Sequence, residues 1–206
     1  MKEADRPFYL LVKSEKTESE ARQRILKTAI DLFYRNGYRA TGINEIIDKS
    51  GVAKATFYAH FPSKEDLAFE YIRTLNQAEN QSALTALEKY SGPHEKLIGM
   101  FDYLIGWAKE RDYRGCAYLN IASEMPDPSH AVRAESRSHY DALRSLSRKL
   151  VTDLKVLRGP AWRDRDADKV SEDYLLILSG ALTMSQVYHD AKPFRDAAAA
   201  AKRLLA

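Results

Sequence analysis

The chain has 206 residues, which allows one domain or two small ones, each able to bury a core. Its 45% hydrophobic and 30% charged residues are typical of a globular protein, and a net charge of +3 identifies no partner by itself. No apolar run is long enough to span a bilayer, no segment has the layout of a signal peptide, and one cysteine excludes an internal disulfide. We therefore expect a cytoplasmic protein without a membrane anchor.

The first residues of the chain are polar and mixed, and we predict an N-terminal arm over residues 1–19. Helical periodicity follows, because apolar residues recur at spacings of three and four from Ala21 to Phe33. Asn36-Gly37 then offers the glycine that commonly ends a helix. We find no strand-like alternation along the chain, so the sequence predicts an all-α fold.

Two short helices are predicted next, over residues 42–49 and 54–60. Gly51 lies between them and tolerates the positive φ that a sharp turn requires. Thr41 is placed to cap the first of the two helices, and Pro62 ends the second. The spacing therefore predicts a compact pair of helices joined by a tight turn.

The remainder of the chain is predicted to be helical as well. Ser63, with Asp66 three residues later, predicts the capped start of a long helix. Further helices are predicted over residues 94–110, 115–124, 130–157 and 168–189, with an Ala-rich helix at the C-terminus. We divide the chain into an N-terminal three-helix domain at residues 20–66 and a larger helical domain at residues 67–206.

The pair of short helices has the chemistry of a DNA-reading helix-turn-helix. Residues 35–64 carry five Lys and Arg side chains against two of Asp and Glu, so positive charge is concentrated there. The second short helix offers Lys54 as a donor to guanine and small side chains that allow close approach to base edges. On spacing alone, a small three-helix core with its charges facing water is an equally open interpretation.

A longer motif distinguishes these alternatives. It has a Thr before the second helix at Thr41, Gly-Val at 51–52, Tyr-Ala-His-Phe at 58–61 and Ser-Lys-Glu-Asp-Leu at 63–67. In this order the elements resemble the DNA-binding domain of the TetR family of bacterial repressors. The likeness covers roughly residues 20–70 and departs at Ala53, where the family usually carries Ser.

The resemblance implies a homodimer that binds palindromic, double-stranded operator DNA and acts as a repressor relieved by a small-molecule effector. It implies phosphate contacts from Thr41, Tyr58 and Lys64. The positions that it places on the base-facing helix are Lys54, Ala55, Thr56 and His60.

Two C-terminal helices are candidates for the dimer interface. The first has an apolar stripe at Tyr140, Leu143, Leu146, Leu150 and Leu154. The second is apolar on nearly every side, at Tyr174–Leu178, Ala181, Leu182 and Val187. A helix of this kind must be buried, and a four-helix contact with a second copy would bury it. Packing within one chain is the alternative, and the two are compatible.

Aromatic and sulfur-containing side chains are abundant in the segments predicted to form the ligand-binding domain, which suggests an apolar or aromatic effector. The candidate pocket residues are Tyr71, Met100, Tyr103, Leu104, Trp107, Cys116 and Tyr118.

Cys116 offers an alternative trigger. Gly115-Cys116, followed by Asn120, Ala122 and Glu124, resembles a TetR branch in which some members sense electrophiles or oxidants through that cysteine. A thiol at a helix start lies near free backbone N–H groups that favour the thiolate. A small buried hydrophobe at a helix contact is the competing interpretation.

The sequence predicts no enzyme. It offers no catalytic triad and no phosphate-binding loop, and its histidines lack zinc-ligand spacing, so we expect no catalytic residues, no metal and no cofactor. An enzyme and a helical scaffold that does not bind DNA are the rival classes, which a gel shift would separate from a repressor.

Overall fold

A computed structural model of the protein describes residues 19–206, and this part of the chain is all-helical, without a β-strand. The nine α-helices are α1 (Glu20–Asn36), α2 (Ile43–Ser50), α3 (Lys54–His60), α4 (Lys64–Leu87), α5 (Pro93–Glu110), α6 (Ala117–Glu124), α7 (Ala131–Arg158), α8 (Ala167–Tyr188) and α9 (Lys192–Leu204). A short 3-10 helix, Gly159–Trp162, joins α7 to α8. The predicted all-α class is confirmed. The predicted arm lies outside the described residues except for Ser19.

Three of the predicted helix boundaries are confirmed by their caps. Gly37 ends α1 with φ of 92°, and its N–H donates to the carbonyl of Phe33 at 3.1 Å. Gly51 ends α2 in the left-handed region, with φ of 66°. Ser63 accepts a hydrogen bond from the N–H of Asp66 at 3.0 Å, as a capping residue before α4 does.

The prediction that Thr41 caps α2 is wrong. The N-cap of α2 is Gly42, which forms no side-chain cap. The hydroxyl of Thr41 instead donates backwards to the carbonyls of Gly37 at 2.8 Å and Leu32 at 3.3 Å. Leu32 lies near the C-terminus of α1 and Gly37 is its cap, so these bonds allow Thr41 to stabilise the C-terminal end of α1.

The described part of the chain forms two compact units. The first comprises residues 19–79 of the described chain together with Ala117–Ser138, so it contains α1 to α3, most of α4, α6 and the start of α7. Aromatic rings fill part of its interior. Phe33 lies edge-on to Tyr71, with ring centroids 5.6 Å apart, and Phe57 lies 6.3 Å from Phe61.

The second unit comprises Asn80–Cys116 and His139–Ala206. Its core is built from α5, α8 and α9 with the second half of α7, and Phe101, Val151 and Phe194 are completely buried in it. The hydroxyl of buried Tyr174 donates to the carbonyl of Leu97 at 2.6 Å, which satisfies a polar group inside this core. The predicted domain boundary between residues 66 and 67 stays a prediction.

In the described part of the chain, every helix is too short or too polar to cross a bilayer.

Candidate nucleic-acid interface

The α2–α3 pair forms around a tight turn and a small apolar contact. Ile46 of α2 and Phe57 of α3 have no exposed surface. The turn between the two helices begins at Gly51, whose N–H donates to the carbonyl of Ile47 at 3.1 Å. Helix α1 packs against both short helices. This arrangement fixes the side of α3 that contacts the protein and leaves the other side open.

The open side of α3 carries most of the residues predicted to read DNA. Lys54, Ala55 and Tyr58 are exposed, while Thr56 and His60 are half-buried. Tyr58 is 41% exposed, and its ring lies 5.3 Å from that of buried Phe57 in an edge-on arrangement. The helix therefore presents one ammonium, one phenol and small side chains, the chemistry expected of a helix that enters a major groove.

The end of α3 is held by contacts that the sequence did not indicate. The guanidinium of Arg22 on α1 lies 5.0 Å from the ring centroid of Phe61, and it forms an ion pair with Glu70 of α4 at 2.9 Å. His60 Nε2 lies 3.2 Å from the hydroxyl of Ser19. Arg22 is separated from Glu70 by 48 positions, so only the folded chain shows that it links α1, α3 and α4.

The two other predicted phosphate contacts differ in exposure. Thr41 has no exposed surface, and its hydroxyl is donated to carbonyls within the chain. A side chain in this position offers no donor to a phosphate, so the structure gives Thr41 a supporting role instead. Lys64 is half-buried at the start of α4, with its Nζ 4.3 Å from the ring centroid of Tyr38. Desolvation by burial lowers the pKa of Lys64.

The α1–α2 turn (residues 37–42) is bound from two other helices. Glu124, the last residue of α6, accepts the N–H of Tyr38 at 3.1 Å and of Arg39 at 2.6 Å. The hydroxyl of Tyr38 donates to Glu65 of α4 at 3.2 Å. Desolvation by burial, reinforced by the charge of Glu65, raises the pKa of Tyr38 to about 12. The phenol is therefore a neutral donor at physiological pH.

The predicted pocket residues fall into both units. In the first unit Tyr71 lines a cleft of about 200 Å³ together with Phe33, Ala117 and Ile121, and Tyr118 is buried elsewhere in the unit. It encloses essentially no space that would admit a water molecule, whereas typical small-molecule sites measure roughly 300 to 1,000 Å³.

In the second unit the predicted residues are mainly core. Leu104 and Trp107 are buried in it, and the hydroxyl of half-buried Tyr103 donates to Ser82 at 3.2 Å. Met100 lines a cleft of about 260 Å³ between α5, α7 and α8, with Lys96 at its edge. Of the seven predicted pocket residues, Tyr71 lines the cleft of the first unit and Met100 lines the cleft of the second.

Cys116 also lies in the second unit. It is only 6% exposed, and its sulfur is 3.6 Å from the hydroxyl of Tyr140. Gly115, which precedes it, has φ of 85°, so the chain turns sharply just before the thiol. These contacts fit a packing role better than a freely accessible nucleophile.

Many residues proposed for the dimer interface are buried within the chain itself. They are Leu150, Leu154, Tyr174, Leu175, Leu178, Ala181 and Leu182. A different face of α8 remains open, with Leu176, Met184, Val187 and Tyr188 between 49% and 70% exposed. These residues recur at helical spacing, and Gly180 lies on the same face with open space around it.

The α2–α3 geometry and the helical remainder define a helix-turn-helix fold of the kind found in bacterial regulators. The family model for bacterial regulatory proteins of the tetR family matches residues 25–71. The model for the tetracyclin repressor-like C-terminal domain matches residues 93–201, more than half of the chain. The chain belongs to the TetR family.

Individual relatives agree with this assignment. The chain is 38% identical over 123 residues to the HTH-type transcriptional regulator LmrA of Bacillus subtilis, a match that covers 59% of this chain and 65% of that regulator, slightly less than two thirds. It is 26% identical over 188 residues to the HTH-type transcriptional repressor KstR2 of Mycolicibacterium smegmatis, covering 80% and 92%. A TetR-family regulator from Streptomyces coelicolor shares the fold, with a TM-score of 0.81, 24% identity, and coverage of 91% and 89%.

Proposed function

We propose that this protein is a homodimeric transcriptional repressor that binds palindromic operator DNA through α3 and is released by a small-molecule effector. The observation that carries the proposal is the open face of α3, held on a buried three-helix base and lacking acidic side chains. The proposed DNA contacts are Lys54, Ala55, Thr56, Tyr58, His60 and Lys64. A repressor of this kind acts in the cytoplasm and needs no catalytic activity. The relative KstR2 is an HTH-type transcriptional repressor.

The open face of α8 supports the dimer. Exposed large apolar side chains at one helical spacing mark a surface that associates with another surface, and a twofold dimer joins the same face of two copies. Gly180 in the middle of the face would let the two helices approach closely. Two copies would also supply the two recognition helices that a palindromic operator requires.

The effector proposal rests on the two clefts and on their apolar linings. Neither has the volume of a typical ligand site, so we propose that an apolar or aromatic effector binds by displacing packed side chains. An effector that opens the protein in this way would favour a conformation that the DNA-bound state does not adopt.

Binding to double-stranded DNA from the region upstream of the protein's own gene tests the function. Fluorescence anisotropy with unrelated competitor DNA should show a specific complex for the wild-type protein. Lys54→Ala should reduce the preference for the specific site by about tenfold, because a base contact is lost. Lys64→Ala should weaken binding to all sequences and lower the salt dependence.

Lys109→Ala provides the control, because Lys109 is an exposed lysine at the end of α5, outside the helix-turn-helix. Its affinity and salt dependence should equal those of the wild type. Equal binding by the Lys54 and Lys109 variants to specific and unrelated DNA would exclude α3 as the reading helix.

A further inference from the structure

Glu124 makes an unusual set of contacts for a residue at the end of a helix. Its two carboxylate oxygens accept the backbone N–H groups of Tyr38 and Arg39. The Nε of Arg39 donates in return to the backbone carbonyl of Glu124 at 3.0 Å. Three hydrogen bonds thus join the last residue of α6 to the α1–α2 turn, across 85 or more positions of the chain.

The position of this carboxylate is unfavourable without those donors. The C-terminal end of a helix carries partial negative charge, and an acidic side chain there is repelled. The amides of Tyr38 and Arg39 follow the end of α1 and have no acceptor inside that helix. Each group therefore satisfies the other, and charge-assisted bonds of this type are stronger than neutral ones.

The turn that Glu124 binds is linked to the DNA-reading helices. Thr41 ties the turn to α1 through its bond to the carbonyl of Leu32, and α2 begins two residues later at Ile43. On the α4 side, Tyr38 is held through its hydroxyl by Glu65. A displacement of the turn would therefore move the start of α2 rather than be absorbed by a loose loop.

The backbone just before α6 adopts a conformation that favours glycine. Gly115, two residues before the helix, has φ of 85°, and a Cβ at this position would clash with Oε1 of Gln186. A side chain at residue 115 would strain this left-handed backbone and displace the side chain of Gln186, and α6 begins two residues later at Ala117.

We propose that Glu124 is a positioning residue that transmits the position of α6 to the α1–α2 turn and hence to α2 and α3. The inference rests on the proposed function only where the transmitted change is measured as DNA affinity. The bond between Glu124 and the turn is measured independently, by hydrogen exchange.

Hydrogen–deuterium exchange of the full-length protein tests the contact itself. Glu124→Ala should accelerate exchange of the Tyr38 and Arg39 amides by about tenfold or more, because each loses a hydrogen bond to a charged acceptor. Glu124→Gln should accelerate exchange of one of the two amides although it has the same size, because its Oε1 still accepts one N–H while its amide nitrogen presents a donor to the other. Glu124→Asp should restore part of the protection.

Glu110→Gln is the matched control, since the side chain of Glu110 on α5 is 70% exposed, and it should leave exchange unchanged. A merely space-filling role for Glu124 predicts wild-type exchange in Glu124→Gln, and that result would overturn the proposal. Melting temperatures of all variants would show whether a change at the turn reflects general unfolding.

A double-mutant cycle tests transmission. Gly115→Ala strains the chain before α6 and should weaken binding to the upstream DNA severalfold in the wild-type background. In the Glu124→Ala background the same substitution should cause no further loss, because the connection is already broken. Additive losses would overturn the proposal, and so would unchanged affinity in either single variant. If the wild-type protein bound no specific DNA, the proposed function would fail. Hydrogen exchange at the α1–α2 turn, compared between Gly115→Ala and the double variant, would then test the proposed role of Glu124 without DNA.

Discussion

At the scale of single residues, burial determines which chemistry Cys116 can perform. Its position before α6 suggested a thiol activated by nearby N–H groups, but local sequence does not determine whether solvent reaches the sulfur. In the structure the sulfur is beside Tyr140 and almost entirely covered. A reagent must therefore wait for a local opening of the protein before it reaches the thiol.

We predict that Cys116 in the native protein reacts with a water-soluble aromatic disulfide at least tenfold more slowly than in the urea-unfolded protein. The rate is measured from the released thiolate. A Ser145→Cys variant in the Cys116→Ser background supplies an exposed cysteine on α7 as a control, and it should react at a similar rate in both states. Equal native and unfolded rates for Cys116 would instead favour the electrophile-sensing alternative.

His139 is predicted to make stability depend on pH. Desolvation by burial lowers its pKa from the ordinary 6.5 to about 4. The unfolded chain therefore binds a proton below pH 6.5 that the folded chain refuses until about pH 4. The contribution of His139 to stability is full above pH 6.5 and is lost as the pH falls, by about 3 kcal/mol at most.

Urea unfolding at pH 7 and at pH 4.5 measures this effect. The wild-type protein should lose about 2–3 kcal/mol more than His139→Gln over this interval. The same substitution at His94, whose side chain is 32% exposed, is the control and should retain the wild-type pH dependence. A His139→Gln variant with the wild-type pH dependence would show that other groups cause it.

At the scale of elements, α3 lacks a feature that helices usually have. Its N-cap is Ala53, which forms no side-chain hydrogen bond to the first turn. The family resemblance places Ser at this position, and a serine hydroxyl would accept one of the unpaired N–H groups of α3.

Ala53→Ser should therefore increase the free energy of unfolding by about 1 kcal/mol, measured by urea denaturation. Ala59→Ser, at an exposed interior position of the same helix, should be neutral or slightly destabilising because serine has a lower helix propensity than alanine. If both variants changed stability equally, capping would not be the cause.

The elements also show what could be predicted from the sequence. The bounds of α3 agree with the prediction because Gly51 and Pro62 act locally on the chain. The prediction for Thr41 was wrong because its hydroxyl could bond either to the first turn of α2 or to carbonyls at the end of α1. Only the packing of the folded chain selects the carbonyls of Leu32 and Gly37. The contact between Glu124 and the α1–α2 turn could not be predicted, since no local pattern indicates which amides a distant carboxylate will reach.

At the scale of the whole molecule, the same limit applies to the dimer interface. The periodicity of α8 showed that the helix is apolar nearly all round, which is true of a core helix and of an interface helix. The structure assigns one side of α8 to the core of the second unit and leaves Leu176, Met184, Val187 and Tyr188 exposed. This separation makes the proposed dimer testable with a single substitution.

Val187→Asp should convert the dimer into a monomer, because a carboxylate would have to be buried without a partner in the contact. Sedimentation velocity should show half the wild-type mass at micromolar concentration, with the helical circular dichroism retained since Val187 is 69% exposed in the single chain. Affinity for the upstream DNA should fall by about a hundredfold or more, because two linked recognition helices bind far more tightly than one.

Val156→Asp is the control, because Val156 at the end of α7 is 75% exposed and lies outside the α8 face. This variant should remain dimeric with full affinity for DNA. A dimeric Val187→Asp protein would place the contact elsewhere, and a monomeric one that still bound DNA with wild-type affinity would separate DNA binding from dimerisation.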